Sequence, residues 1–336
     1  MKILLVRLSS MGDLIHTLPA VEDLSRLRPD IRLHWLSEAG FADIARLHPF
    51  VKKIHEMRWR KWRKQLFKSE TWHEIGRLKK ELRQEKFDFV LDSQGLIKSA
   101  LFARMADAQV KGLDKNSSRE RLAALAYGQT FNVPKGKNAV WRNRELFAQV
   151  FNYQIPQLQR FGLSVPAEGR LKNLKTPYYV ALHATSRDSK LWPVENWLDT
   201  LTKLHNDSGY SIYLPWGNNI EKQRAQVIAA ELPFAVVCDK MNLLQAASLL
   251  EQSVGVIGVD TGLLHLANAL DKPVVGIYTD TDPIKTGVQV SDWAKNLGGM
   301  GQIPLSEEVY QVFTDCVAAK KFDLEHKSKS ASIETD

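Results

Sequence analysis

The chain has 336 residues, room for two α/β domains of ordinary size, and its 44% hydrophobic and 25% charged content excludes a disordered polypeptide. No apolar run approaches the ~18 residues of a bilayer span, and Arg7 closes the Ile3–Val6 run too early for a signal-peptide core. Two cysteines, Cys238 and Cys316, argue against a disulfide scaffold and for a reducing, cytoplasmic location, and the net charge of +8 is unevenly spread along the chain.

In chain order, Lys2 to Leu8 is predicted as a strand and Ser9-Ser10-Met11-Gly12-Asp13 as a small-residue turn. A helix near 13–28 follows, with Leu14, Leu18, Val21, Leu24 and Leu27 on one face. Pro19 fits its interior poorly, so it kinks there or its regular part starts near Thr17; both options leave Asp13 at the mouth of the turn. Further strands are predicted at 32–37, 87–92 and 108–112, with helices near 40–47, 70–84 and 95–105. Lys52, Lys53, Arg58, Arg60, Lys61, Arg63, Lys64 and Lys68 crowd one stretch, with Trp59, Trp62 and Phe67 among them. Such a mixture suits an anionic membrane surface, at ~1 kcal/mol per basic residue, with tryptophan at headgroup level. It equally suits nucleic acid, or a solvated face whose tryptophans anchor it to the core.

Residues 154–177 are interrupted by Pro156, Gly162, Pro166, Gly169 and Pro177 and read as an interdomain linker. The alternation then restarts, with strands at 178–183, 211–215, 235–238, 254–259 and 273–278 and helices near 193–206, 219–231, 242–251 and 262–270. Repeated βα units predict an α/β protein of two Rossmann-like domains with parallel sheets. Ligand crevices then lie at the carboxyl ends of the strands, and the site is expected in a cleft between the domains. The predicted domains are 1–160 and 175–305, with a helix at 306–320 and a loose tail at 322–336.

Strand ends in the second half carry the candidate chemistry. Thr185, Ser186 and Lys190, ahead of Trp192-Pro193, read as a diphosphate cradle at a helix entrance. Glu221 follows the 211–215 strand where a carboxylate commonly takes ribose hydroxyls, and Met241 offers an apolar slot for a flat base. Asp260-Thr261-Gly262 turns a buried strand into a helix and leaves backbone N–H groups of Thr261 and Gly262 for a phosphate, with His265 one turn on. Taken singly each is an ordinary polar loop; four consecutive βα units converging on one crevice make a nucleotide site. No GxGxxG, no GxxxxGK[ST] and no zinc-spaced Cys/His cluster occurs. Asp280-Thr281-Asp282 matches the short DxD pattern of metal-dependent sugar transferases, but three residues recur by chance and no metal is expected there.

These motifs match a family. Arg7-Leu8-Ser9-Ser10-Met11-Gly12-Asp13, His183-Ala184-Thr185-Ser186-Arg187 through Lys190-x-Trp192-Pro193, Leu214-Pro215-Trp216-Gly217 with Glu221, and Val259-Asp260-Thr261-Gly262-Leu263-x-His265-Leu266-Ala267 span both halves. Over about residues 1–320 the chain resembles the inverting family-nine glycosyltransferases, the bacterial lipopolysaccharide heptosyltransferases. The opening turn and the Trp-Arg-rich segment point to the members that add the first heptose. The resemblance implies a GT-B architecture, an acceptor-binding amino-terminal domain, a donor-binding carboxy-terminal domain and a last helix that crosses back to the first. It implies ADP-L-glycero-D-manno-heptose as donor and the 3-deoxy-manno-octulosonic acid (Kdo) of Kdo2-lipid A as acceptor.

On that reading the enzyme works at the cytoplasmic face of the inner membrane, with an anionic lipid surface and no nucleic acid as partner. Ser9, Ser10, Gly12, Arg58, Arg60, Lys61, Arg63, Lys64, Arg119 and Arg142 would bind the acceptor; Arg121 is a further candidate. Asp13 would be the base, or in the alternative only a helix cap. Lys190 and the Thr261 and Gly262 amides would stabilise departing ADP, with Asp260 on heptose hydroxyls and His265 structural or catalytic. No cofactor would then be required, and Mg2+ would at most stimulate. The rivals are a transferase for another nucleotide sugar or the second-heptose acceptor, and a polyanion-binding protein without turnover.

Overall fold

The computed structural model describes residues 1–333, with side chains described through Lys327. The chain divides into two compact units, Met1–Ser164 and Val165–Asp336. In the first unit the strands are β1 (Lys2–Val6), β2 (Arg32–Glu38), β3 (Val51–Met57), β4 (Phe89–Asp92), β5 (Val110–Leu113) and β6 (Gln129–Phe131). They form one parallel sheet in the order β3-β2-β1-β4-β5-β6. The second unit holds β7 (Tyr178–Leu182), β8 (Ser211–Leu214), β9 (Ala235–Val237), β10 (Gly255–Val259), β11 (Val274–Tyr278) and β12 (Ala294–Gly298). Its parallel order, β12-β11-β10-β7-β8-β9, repeats the topology of the first. Each unit is thus doubly wound, and the strand order reverses between β1 and β4 and between β7 and β10. Ligands of such sheets bind beyond the carboxyl ends of the strands at that reversal.

Burial explains which strands the sequence reveals. β4, β7, β10 and β11 are buried along their whole length and read as apolar runs. β3, β6 and β12 stand at sheet edges, and sequence patterning missed all three. Lys52 and Lys53 belong to β3, where exposed lysines on an edge discourage pairing with another chain. Pro19 resolves as the second residue of a new helix, Leu18–Leu27, after a short Met11–Ile15 helix, so its missing N–H breaks no helical bond.

The Ala139–Phe151 helix, absent from the sequence reading, packs on Leu18–Leu27 and is pinned there by a buried ion pair. Arg144 Nε donates to Asp23 at 2.6 Å, and its outer nitrogen reaches Asp23 at 3.2 Å and the Pro156 carbonyl at 2.6 Å. Both side chains are almost fully buried. Arg144→Met strands a buried carboxylate and is expected to destabilise the first unit by ~3–5 kcal/mol, read from urea unfolding. Adding Asp23→Leu should recover much of that loss, since no uncompensated charge then remains.

The last helix runs Ser306–Ile333. Val309, Phe313 and Cys316 lie in the core of the second unit, and the Phe313 ring leaves only 2.7 Å for a Cβ at Gly255 of β10. The helix is therefore part of the body predicted as 175–305, which sequence reading had set apart from it. It also continues through most of the stretch 322–336 predicted as a loose tail; residues 334–336 lie outside the described residues. The polar, Ser/Lys-rich composition suggested a tail, but local ion pairs favour helix. Lys327 bonds Asp323 at 2.8 Å one turn back.

Candidate active site

At the reversal in the first unit, β1 ends in Arg7 and the chain turns through Ser9 and Ser10 into the Met11–Ile15 helix. Ser10 is the N-cap, and Asp13, three residues on, accepts from the Ser10 N–H at 3.0 Å. Gly12 lies between them in the first turn. Asp13 is also gripped by two guanidinium groups: Arg7 at 3.2 Å and Arg119 at 2.8 Å. Burial alone would raise its pKa, but these two cations and the Ser10 amide hold it below the ordinary carboxylate range. Asp13 is therefore an ionised carboxylate in a partly buried, cationic setting.

Arg7 is itself buried and donates to the Ser93 carbonyl, just past β4. Gln94, next in line, staples the turn by accepting from the Leu8 N–H at 2.8 Å and donating to the Ser9 carbonyl at 2.9 Å. Behind it Asp92 takes bonds from Ser99 at 2.7 Å and Tyr127 at 2.8 Å. A small hollow of about 40 Å³, lined by Arg7, Gln94, Arg119, Arg142 and Asn143 among others, adjoins Asp13. Among the described residues the buried Nε atoms of Arg7 and Arg142 have no partner. Arg142 otherwise donates to the Ser117 carbonyl at 2.7 Å.

The basic stretch divides. Arg58, Arg60, Arg63 and Lys64 are exposed around a short Trp59–Trp62 helix, with Arg60 lying 4.6 Å over the Phe41 ring. Lys61 is already bonded to Glu74 at 2.8 Å, so its charge is balanced within the protein. Neither tryptophan is fully exposed, Trp59 being half-buried and Trp62 buried. Trp62 is buried, bonded to Glu74 and stacked on Phe102, and Trp59 meets the same ring edge-on. Of the three sequence readings, the one whose tryptophans anchor the segment to the core describes Trp59 and Trp62, while the exposed Arg58, Arg60, Arg63 and Lys64 keep their charge at the surface.

In the second unit β7 and β10 flank the reversal, and the loops after them meet. Lys190 reaches Asp260 at 2.5 Å, and both side chains are nearly buried. Thr281, after β11, donates to the same Asp260 oxygen at 2.9 Å, and Thr185 donates to the Asp260 backbone carbonyl at 2.8 Å. Thr261 is the N-cap of the Gly262–Ala269 helix, in extended conformation and with no side-chain cap bond. Ser186 is exposed beside Thr185. His265 is buried on the first turn of that helix, and burial lowers its pKa, so the ring is neutral. Glu221 is held by its own loop, accepting from Gly217 N–H at 2.6 Å and from Asn218 at 2.7 Å. Met241 sits half-buried in the loop before the Leu243–Gln252 helix. The structure thus gathers Thr185, Lys190, Asp260 and Thr261 within one unit. Asp260, expected on sugar hydroxyls, has one oxygen engaged by Lys190 and Thr281 and orients that ammonium.

A family model described as glycosyltransferase family 9 (heptosyltransferase) matches residues 75–327. Lipopolysaccharide heptosyltransferase 1 of Escherichia coli K12 is 42% identical over 287 residues, covering 84% of this chain and 89% of that protein. The solved E. coli heptosyltransferase WaaC with ADP superposes with a TM-score of 0.82 at 36% identity, over 97% of this chain and 99% of that one. The same enzyme with ADP-2-deoxy-2-fluoro heptose gives 0.80 at 35% identity, over 97% and 100%. The chain belongs to glycosyltransferase family 9. Its two parallel six-stranded α/β sheets match the GT-B-like fold of WaaC.

Sequence reasoning about this family-9 enzyme quoted Arg7 and Thr281 within motifs but gave them no role in the site, and it missed Gln94 and Tyr127. Each lies at or past a strand end, so the crevice rule applied to every strand could have found Arg7, Gln94 and Thr281. Tyr127 had no such signal. The DxD-like residues of this glycosyltransferase are each engaged: Asp280 accepts from Ser189 at 2.6 Å, Thr281 serves Asp260, and Asp282 caps the Pro283–Thr286 helix. Among the described residues His34 of β2, His55 of β3 and Glu85 at the end of the Ser69–Gln84 helix bring ligand atoms within 4.8 Å of one another. Their polar atoms are already paired, His34 with His55 at 3.1 Å and Glu85 with Lys53 at 2.7 Å and Lys2 at 2.9 Å.

Buried histidines give the family-9 fold an acid limit. Burial lowers the His34 pKa, helped by His55, to about 4, and burial lowers His183, helped by Arg224, to about 4. In the unfolded chain both titrate near ~6.5. The unfolded state therefore binds more protons as pH falls from 6.5 toward 4, so their stabilising contribution is complete above that window and is lost within it. The melting temperature is expected to be flat between pH 7 and 8 and to drop steadily from pH 6.5 to 4.5 in a calorimetric series. Asp13 stays ionised there, so loss of activity should track unfolding.

Proposed function

We propose that this chain transfers L-glycero-D-manno-heptose from ADP-heptose to the Kdo of Kdo2-lipid A, building the inner core of lipopolysaccharide. The observation that carries the reading is an Asp13 kept ionised by Arg7 and Arg119 at the strand-order reversal. The acceptor hydroxyl oxygen attacks the anomeric carbon, and the bond from that carbon to the ADP phosphate oxygen breaks, with inversion. The hydroxyl proton passes to Asp13, whose affinity for it grows only as positive character develops on the attacking oxygen. ADP leaves with added negative charge, met by Lys190 and by the amides of Thr261 and Gly262. Thr185 and Ser186 line the diphosphate, Glu221 releases its loop contacts to take ribose hydroxyls, Met241 backs the adenine, and His265 packs under the turn.

The acceptor carries carboxylates and phosphates, which Arg58, Arg60, Arg63, Lys64, Arg119 and Arg142 match in sign, with Ser9, Ser10 and Gly12 near its attacking hydroxyl. Lys61 supports this face from its bond to Glu74. No metal is needed in this scheme, with Mg2+ at most stimulating, so EDTA should slow transfer at most and not abolish it. Among the described residues no helix is long and apolar enough to cross a membrane, so the enzyme would meet its lipid substrate from the surface of the inner membrane. Incubation with ADP-heptose and Kdo2-lipid A, following ADP release, tests the assignment. No ADP from authentic substrates removes it, and faster release from another ADP-sugar would replace the donor.

A further inference from the structure

The Ile97–Ala103 helix and the 3₁₀ segment Arg121–Ala126 pack side by side and each buries one face. Ala100, Phe102 and Ala103 of the first and Ala123 of the second enter the core. Their other faces carry apolar side chains with nothing over them. Leu101 is 61% exposed, Leu122 63% and Leu125 83%, with Ile97 at 41%. Four large apolar residues on two joined elements form a patch rather than scattered exposures. The two elements are locked together: Glu120 accepts from the Ile97 N–H at 2.6 Å and donates its own N–H to the Gly95 carbonyl at 3.0 Å.

Charge fringes this ledge. Exposed Arg104 follows the end of the helix, exposed Arg121 opens the 3₁₀ segment, and Lys98 lies within electrostatic reach of Arg60 and Arg63. The residue before Glu120 is Arg119, which holds Asp13. A substrate with its sugar at Asp13 and its hydrocarbon in a bilayer would thus bring lipid to the ledge. We propose that the Ile97/Leu101/Leu122/Leu125 ledge enters the hydrocarbon border of a bilayer whose anionic headgroups sit on the surrounding arginines and lysines. Apolar side chains beside basic ones are what a surface lying in that interface requires. Of the aromatic residues that the sequence offered for this task, Trp62 is buried, Trp59 is half-buried against Phe102 and Phe67 alone is fully exposed; the leucines add a second apolar face.

The inference rests on the membrane part of the proposed function and can fail separately from it. Full-length protein is sedimented with phosphatidylethanolamine vesicles holding roughly 30% phosphatidylglycerol, and with vesicles of phosphatidylcholine alone. The native chain should bind the anionic vesicles, and Leu122→Asp/Leu125→Asp should bind about tenfold or more weakly at equal salt. Val227→Asp, an exposed apolar site in the second unit, should bind as the native chain does. The double variant should keep its ADP affinity and its turnover of a water-soluble deacylated acceptor, while losing turnover of vesicle-held acceptor. Leu122→Ser/Leu125→Ser, with weaker but parallel effects, stands in should the aspartates impair folding. If the native chain ignores anionic vesicles, the membrane reading falls and the ledge with it. Binding unchanged in both double variants overturns the ledge alone. A native dimer that the variants turn into monomers would make the patch a contact between copies and also overturn it.

Discussion

Asp13→Asn is expected to lower the rate of heptose transfer by roughly 10²–10⁴ while leaving ADP-heptose affinity within about twofold. The amide keeps the shape of the carboxylate and can still accept from Ser10, but it cannot take the acceptor proton. A second effect follows from the surroundings. Arg7 is buried with Asp13 as its carboxylate partner, so neutralising Asp13 leaves a guanidinium buried without a counter-charge. Removing one member of such a pair costs ~3–5 kcal/mol, less here because Arg7 keeps the Ser93 carbonyl and Asp13 is not wholly shielded. The variant should therefore melt earlier as well as turn over slowly. Combining it with Arg7→Met should return stability without returning activity, separating the base from its support. Transfer kept above about a tenth of the native rate in Asp13→Asn, with kcat read at saturating donor, would exclude Asp13 as the base.

Lys190→Ala is expected to lose about 10²–10³ in kcat, equivalent to ~2.7–4 kcal/mol of barrier, together with weaker ADP binding. Its ammonium is positioned by Asp260, and Asp260 is in turn bonded by Thr281. Truncation removes the cation proposed to meet the leaving diphosphate and takes from Asp260 its ammonium partner. The Asp260 carboxylate then repels ADP, so the loss should exceed that of Lys190→Met/Asp260→Asn, which removes both. Calorimetric ADP titration with single-turnover rates separates binding from chemistry. Equal losses in the single and double variants would show that Asp260 acts apart from Lys190.

Local pattern carried the fold a long way. Val254 to Val259 reads as a buried strand because both sheet faces are covered, and the Asp260-Thr261-Gly262 turn because the apolar run stops where a helical period begins. Three of the four edge strands, β3, β6 and β12, were illegible for the converse reason, while β9 was read. β3 mixes exposed lysines with Ile54, His55 and Met57, since only one side of an edge strand meets the sheet. The last helix was misjudged past residue 321 because composition shows polarity but not the spacing of partners, such as Asp323 one turn before Lys327, that favours helix.

Taken by itself, the sequence determined that two runs of βα units exist, that Asp13 stands at the first turn, and that Lys190 and Asp260-Thr261-Gly262 follow buried strands. Those features depend on residues a few positions apart, where periodicity and turn chemistry act. Only the tertiary structure decided which charges meet. Arg119 reaches Asp13 across 106 positions, and Lys190 reaches Asp260 across 70. It also sent Trp59 and Trp62 inward and left Leu122 and Leu125 outside. Strand order sets these pairings, because it chooses which loops come together at the carboxyl edge of each sheet, and no local pattern encodes that choice.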